Sequence, residues 1–290
     1  MKLVIISGLS GSGKSSALQA LEDIGFYCID NLPALLIPDL IRHLEEEATM
    51  KKIAVCVDAR NLTSNLEKLP EIWQDFKSHS NIQAELLFIG CAQETLIKRY
   101  SSTRRRHPMS TKNRGLSEAI EYEEALLEPI AEIADLKIDT SHMSLYDLRD
   151  LIKLRIADRK TQALSLQFES FGFKHGVPMD VDMVFDVRVL PNPYWVSELR
   201  RYSGLDQPVI DFLEGDALVE SMFEDIKSYM ERWLPHFADN NRSYVTVGIG
   251  CTGGQHRSVY LAERLTAHFV HSNDNVNVRH RELSTSKNTH

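Results

Sequence analysis

The first half of the chain alternates short apolar runs with segments long enough to form helices. The apolar runs are Lys2 to Ser7, Phe26 to Asp30, Lys52 to Asp58, Ala84 to Gly90 and Leu136 to Asp139. Nearly continuous apolar strands joined by helical crossovers predict a parallel sheet covered by helices on both faces. After Ser141, Leu145, Leu148, Ile152 and Ile156 recur at helical spacing. The polar stretch Ala157-Asp158-Arg159-Lys160-Thr161-Gln162 ends that helix and predicts a domain boundary within 158–163. In the second half Leu164 to Phe168, Met183 to Leu190 and Tyr244 to Ile249 read as strands, and Ser258 to Val270 as a helix. The expected fold class is α/β, with one domain over 1–158 and a second, mixed α/β domain over 163–290. No internal repeat is visible, and the polar end from Ser284 to His290 is expected to fray.

The first apolar run leads into Gly8-Leu9-Ser10-Gly11-Ser12-Gly13-Lys14-Ser15, and a helix opens directly after it. Strand, glycine-rich turn and helix form the context in which GxxxxGK[ST] signifies a phosphate-binding loop. The glycines let backbone N–H groups converge on phosphate oxygens, and the helix N-terminus adds a favourable dipole. Lys14 is placed for the β- and γ-phosphates and Ser15 for Mg²⁺. The first domain is therefore expected to be a P-loop, kinase-like parallel sheet. A second carboxylate for the metal or its water shell is sought at the end of a neighbouring strand. Asp58, closing Ile53-Ala54-Val55-Cys56-Val57, is that candidate, with Asp30 as its rival. Arg104-Arg105-Arg106 falls where small P-loop kinases carry an arginine-bearing lid; it reads equally as a solvated basic run or an RNA-contacting patch.

Composition narrows the partners. The chain has 290 residues and a net charge of -8, which argues against a protein coated in basic residues for nonspecific nucleic-acid binding. From Asn241 onward, however, Arg242, Arg257, Arg264, Arg279, Arg281 and Lys287 outnumber Glu263, Asp274 and Glu282, a local excess of +3 that points to an anionic partner. No uninterrupted apolar stretch of membrane-spanning length exists and the N-terminal run enters a glycine loop, so a cytoplasmic protein without membrane attachment is expected. Cys28, Cys56, Cys91 and Cys251 lack metal-ligand or disulfide-framework spacing.

A second phosphate-cradling turn is expected at Gly250-Cys251-Thr252-Gly253-Gly254-Gln255-His256-Arg257-Ser258, again between a strand and a helix. Two readings stand. Cys251 and Arg257 have the C-x5-R spacing of cysteine-dependent phosphatases. Alternatively, Thr252, Gly253, His256 and Arg257 line an anion pocket in which Cys251 is only a packed thiol.

Five segments, GLSGSGKSSALQALEDIGFYCIDNLP, VDARN, ESFGFKHG, FDVRVLPNPYW and NRSYVTVGIGCTGGQHRSVYLAE, give the chain a resemblance over essentially its full length. It resembles the bacterial RapZ family of RNase adapters and P-loop nucleotide-binding proteins. The resemblance implies ATP binding at Gly8 to Ser15, GTP binding at Asp58, Ala59, Arg60 and Asn61, Mg²⁺ held with the nucleotide, and weak ATPase and GTPase activity. It also implies a C-terminal domain for glucosamine-6-phosphate and small regulatory RNA. Enterobacterial members are homotetrameric adapters that present the small RNA GlmZ to RNase E, with GlmY as a decoy. Carried onto matching positions, Lys174, His175, Tyr244, Thr252, Gly253, His256 and Arg257 serve RNA or sugar-phosphate recognition. Tyr194 stands where the family pattern has a pocket histidine, and Gln255 where it has a lysine. The basic end of the family is reduced to Arg279, His280, Arg281 and Lys287. A small-molecule kinase and a cysteine-dependent phosphatase are the competing functions.

Overall fold

The computed structural model describes residues 1–47, 52–60, 66, 68–78, 82–157, 164–240 and 242–284. The expected boundary at 158–163, Asn61, Lys287 and the C-terminal end from 285 lie outside the described residues. The chain divides into two compact units, Met1–Asp158 and Arg159–His290. Among the described residues no helix is long and apolar enough to cross a membrane.

The first unit is built on a five-stranded sheet in the order β2-β3-β1-β4-β5, every pairing parallel. Its strands are β1 (Lys2–Gly8), β2 (Tyr27–Ile29), β3 (Lys52–Cys56), β4 (Gln83–Gly90) and β5 (Leu136–Asp139). The helices are α1 (Lys14–Glu22), α2 (Ile37–Glu47), α3 (Leu69–Ser78), α4 (Gln93–Thr103), α5 (Leu116–Ile133) and α6 (Leu145–Ile152). Leu3, Ile5, Ile53, Val55 and Leu86 are fully buried on the central strands, which is why these runs are uninterrupted rather than alternating. Because β1 is central, β3 and β2 lie on one side of it and β4 and β5 on the other, and the chain crosses from one side to the other between β3 and β4. The crevice at its carboxyl end is the position where open α/β sheets take ligands. The first unit is thus the expected parallel-sheet α/β domain, with the glycine-rich loop at the carboxyl end of its central strand.

The second unit contains a four-stranded parallel sheet in the order β7-β8-β6-β9. Its strands are β6 (Ser165–Gly172), β7 (Met183–Asp186), β8 (Tyr244–Cys251) and β9 (Val276–His280). Its helices are α7 (Gln207–Glu214), α8 (Ala217–Asp239), α9 (Arg257–Phe269) and the short α10 (Arg281–Ser284). Leu166, Phe168, Val245 and Val247 pack with Ile226 of α8 and Leu261 and Leu265 of α9 in one core.

Three boundaries differ from the sequence reading. Strand β6 runs on to Gly172, because Glu169 and Ser170 are buried in the sheet rather than ending it. Strand β7 stops at Asp186, where the chain turns so that the carbonyls of Arg188 and Leu190 meet the Arg257 guanidinium. Strand β9 was not expected, since Val276 and Val278 alternate with polar Asn277 and Arg279 and the strand pairs along only one edge, with β6.

Candidate functional site

The glycine-rich loop closes the carboxyl end of β1. Gly8 has φ 139°, and a Cβ there would lie 2.1 Å from the Ile89 carbonyl oxygen, so only glycine lets β1 turn against β4. Gly13 at the N-cap of α1 has φ 114° and packs where a Cβ would meet Leu148 at 2.8 Å. Lys14 is buried and its ammonium donates to the carbonyls of Gly8 and Leu9 at 2.7 and 3.1 Å. Thr140, just past β5, donates its hydroxyl to Ser12 O at 2.7 Å, and Arg99 donates to Gly11 O at 3.1 Å. The loop's carbonyls at Gly8, Leu9, Gly11 and Ser12 are therefore all tied to side-chain donors, which holds its backbone in place.

Asp58 belongs to this site. Its carboxylate lies 3.7 Å from Lys14 Nζ, both groups being buried, and accepts from the Arg60 backbone and guanidinium at 3.1 and 3.0 Å. Burial alone would raise this carboxyl. The Lys14 ammonium and the two Arg60 hydrogen bonds outweigh it, holding Asp58 below the usual aspartate range and ionised at neutral pH. Asp30 is exposed. Ser15 is exposed on the first turn of α1, and Ser12 Oγ is buried without a hydrogen-bond partner. Ser15 and Asp58 are the side chains suited to a nucleotide-bound Mg²⁺, an ion that neutralises phosphate charge when bound. Ala59 is buried and Arg60 half exposed; Asn61 is not among the described residues.

The carboxyl edge of the second sheet carries the other expected turn. Gly254 takes φ 70°, its N–H donates to Cys251 Sγ at 3.2 Å, and the sulfur also pairs with Ser258 Oγ at 3.1 Å. Arg257, only 4% exposed, donates to the carbonyls of Arg188 and Leu190 at 2.8 and 2.9 Å and to Thr252 Oγ1 at 3.3 Å. His256 Nε2 and Arg257 Nε are buried with no hydrogen-bond partner. Burial, reinforced by the Arg257 charge, pushes the His256 imidazole below its ordinary value against a backbone hydrogen bond at Tyr202, so the ring is neutral at pH 7. The Lys174 backbone N–H donates to Thr252 O at 3.2 Å, which joins the exposed Lys174-His175 turn to the same edge. Tyr194 is 56% exposed, four residues past Leu190.

Of three further expected contact residues, one lies elsewhere and two are engaged in ion pairs. Tyr244 begins β8 at the opposite, amino end of the sheet and is buried. Arg279 pairs with Glu169 at 3.2 Å and Asp180 at 3.6 Å; Arg281, itself buried, pairs with the same two carboxylates at 3.4 and 3.5 Å. Both guanidiniums neutralise buried acids and hold β9 and α10 to β6. Arg242 and Arg264 likewise meet Asp182 and Glu220, so the local basic excess of the tail is matched by acids from earlier in the chain.

Sequence reading missed Glu123, a fully buried carboxylate that accepts from both the backbone N–H and the hydroxyl of Ser10. It also missed Glu282. Burial raises that carboxyl, and its side chain packs so closely on Gly254 that a Cβ there would meet Oε2 at 2.2 Å.

Comparison with known proteins agrees with both halves. The model of the RapZ-like N-terminal domain matches residues 1–160, and that of the RapZ C-terminal domain matches residues 164–284. A protein of Ectopseudomonas mendocina described as a nucleotide-binding protein is 55% identical over 286 residues, covering 98% of this chain and 100% of its own. A nucleotide-binding protein of Pseudomonas syringae pv. tomato is similar to the same degree, 55% over 286 residues with the same coverage. Among solved structures, a shikimate kinase from Acinetobacter baumannii is similar at 15% identity with a TM-score of 0.36, over 55% of this chain and 95% of that one. With domain models spanning nearly its whole length and relatives at this identity, the chain belongs to the RapZ family.

Proposed function

We propose that this protein binds a magnesium nucleoside triphosphate in its first domain and a phosphorylated sugar and small regulatory RNA in its second, acting as a regulatory adapter. The observation that carries the reading is the loop from Gly8 to Ser15, with Lys14 and Asp58 set 3.7 Å apart at the carboxyl end of β1. That spacing favours one nucleotide site over two. Asp58, which carries Arg60 with it, lies beside the same lysine that is placed for the phosphates, so ATP and GTP are alternative occupants, and weak hydrolysis of either is the expected activity. Relatives named as nucleotide-binding proteins support the same reading.

In the second domain the buried nitrogens of His256 and Arg257 and the amides of Thr252 and Gly253 suit a phosphate, which glucosamine-6-phosphate supplies. RNA phosphates would meet Lys174 and the exposed arginines Arg200 and Arg201. Presentation of the RNA to RNase E by a homotetramer completes the proposal. Because the sugar phosphate and the RNA share the turn, glucosamine-6-phosphate is expected to weaken RNA binding. Filter-binding titration of the full chain with a GlmZ-like hairpin, at several salt concentrations and with or without the sugar phosphate, checks this. Lys174→Ala should lower the slope of log K against log salt by about 0.7 to 0.9, the loss of one phosphate contact. RNA affinity indifferent to glucosamine-6-phosphate would separate the two ligands.

The phosphatase reading fares poorly on geometry. Cys251 is 2% exposed, and its sulfur is occupied by Gly254 N–H and Ser258. Cys251→Ser is expected to retain sugar-phosphate affinity within about threefold, a loss smaller than one neutral hydrogen bond. Rapid dephosphorylation of an aryl phosphate by the wild type, abolished in Cys251→Ser, would reverse that assignment.

A further inference from the structure

Helix α5 buries Ala119, Ile120, Glu123, Leu127 and Ile130 along one stripe. One member is acidic. A carboxylate with no solvent exposure is expensive unless its oxygens are filled with donors. Leucine would suit the stripe better, so the reason for Glu123 lies in what it holds.

It holds two things. Its oxygens accept from Ser10 N–H at 2.8 Å and Ser10 Oγ–H at 2.6 Å, which fixes the third residue of the phosphate loop by both backbone and side chain. The Oε2 atom also meets His107 Nε2 at 3.2 Å, and that ring too has no exposed side-chain surface. Met109 N–H donates to His107 Nδ1, so Nδ1 is the acceptor and Nε2 carries the proton given to Glu123. His107 immediately follows the exposed Arg104-Arg105-Arg106, and Arg104 turns with φ 53° where α4 ends. The Tyr100 ring packs on His107 with centroids 5.1 Å apart and stands 3.1 Å from the place of a Cβ on Gly11.

We propose that Glu123 is a positioning residue of the nucleotide site: it sets Ser10, and hence the phosphate loop, and through His107 fixes the root of the arginine segment to the same point. The inference rests on the reading that the loop binds a nucleoside triphosphate. It adds that loop and arginine segment are held as one unit, so loss of the carboxylate weakens the ligand through its phosphates and not through its nucleoside.

The test uses the full chain with Mg-ATP, AMP competing against a fluorescent ATP analogue, and thermal unfolding of each variant. Wild-type binding is measured first; its absence would overturn the nucleotide reading itself and this inference with it. Given binding, Glu123→Gln, which keeps shape but loses charge and turns an amide toward a donor, is expected to weaken ATP about tenfold, the size of one charge-assisted hydrogen bond. AMP should change by less than about twofold, whereas general loosening of the fold would weaken both. Ser10→Ala should weaken ATP to a lesser degree, and the double variant should bind no worse than Glu123→Gln, because both changes break one link. Unchanged ATP affinity in folded Glu123→Gln, equal losses for ATP and AMP, or multiplying effects in the double variant would each overturn the proposal. Should Glu123→Gln not fold, Ser10→Ala alone decides: selective weakening of ATP supports the positioning role, and unchanged ATP affinity refutes it.

Discussion

Lys14→Ala is expected to abolish measurable triphosphate binding, a loss of about a hundredfold or more. The lysine is the one cation seated inside the loop, and two charge-assisted hydrogen bonds to phosphate are each worth about 1.5–3 kcal/mol. The fold should survive, because Arg60 still pairs with Asp58 after the lysine is gone. The change nevertheless alters the pH dependence of stability. Asp58 is held below its ordinary value of 3.8, so its contribution is complete above that value and is lost as pH falls through the lower folded value. Without the Lys14 charge the depression shrinks and the acid limb of unfolding moves to higher pH. Nucleotide titration of the folded variant, followed by acid unfolding monitored by circular dichroism, measures both effects. Unchanged affinity would remove Lys14 from the site.

Arg257→Ala is expected to have the largest effect in the second domain. Three hydrogen bonds disappear, and the carbonyls of Arg188 and Leu190 lose a donor beneath the turn. A cost of about 2–4 kcal/mol follows for a buried, multiply bonded side chain, along with loss of glucosamine-6-phosphate binding. Arg257→Lys separates stability from recognition. A lysine keeps the charge but cannot span both carbonyls and Thr252 at once, so anion binding should partly return while the Arg188 to Leu190 segment loosens. Chemical denaturation and ligand titration of both variants read the two effects. Wild-type stability in Arg257→Ala would mean that the guanidinium does not organise this edge.

What the sequence disclosed was local. Gly8 to Ser15 is a single strand-to-helix turn whose chemistry lies within eight residues, and Asp58 was found because a carboxylate at a strand end is also a local pattern. Parallel strands were legible because their burial on both faces leaves unbroken apolar runs. Glu123 was not, since it serves Ser10 from 113 residues away and in the sequence is one more polar residue on an acidic helix. The same distance explains Arg279 and Arg281. A charge count over the tail recorded them as a surplus, but their partner Glu169 lies at the centre of β6, 110 and 112 residues earlier. Tyr244 stood close to the turn in sequence, but the length of β8 carries it to the far edge of the sheet.

A single nucleotide site, shared by the loop and the Asp58 segment, can be distinguished from two separate sites by equilibrium dialysis of the full chain with ATP and GTP in Mg²⁺. One triphosphate bound per chain, with each nucleotide displacing the other and both lost in Lys14→Ala, is the predicted result. Two triphosphates bound per chain at once, with GTP retained in Lys14→Ala, would contradict it.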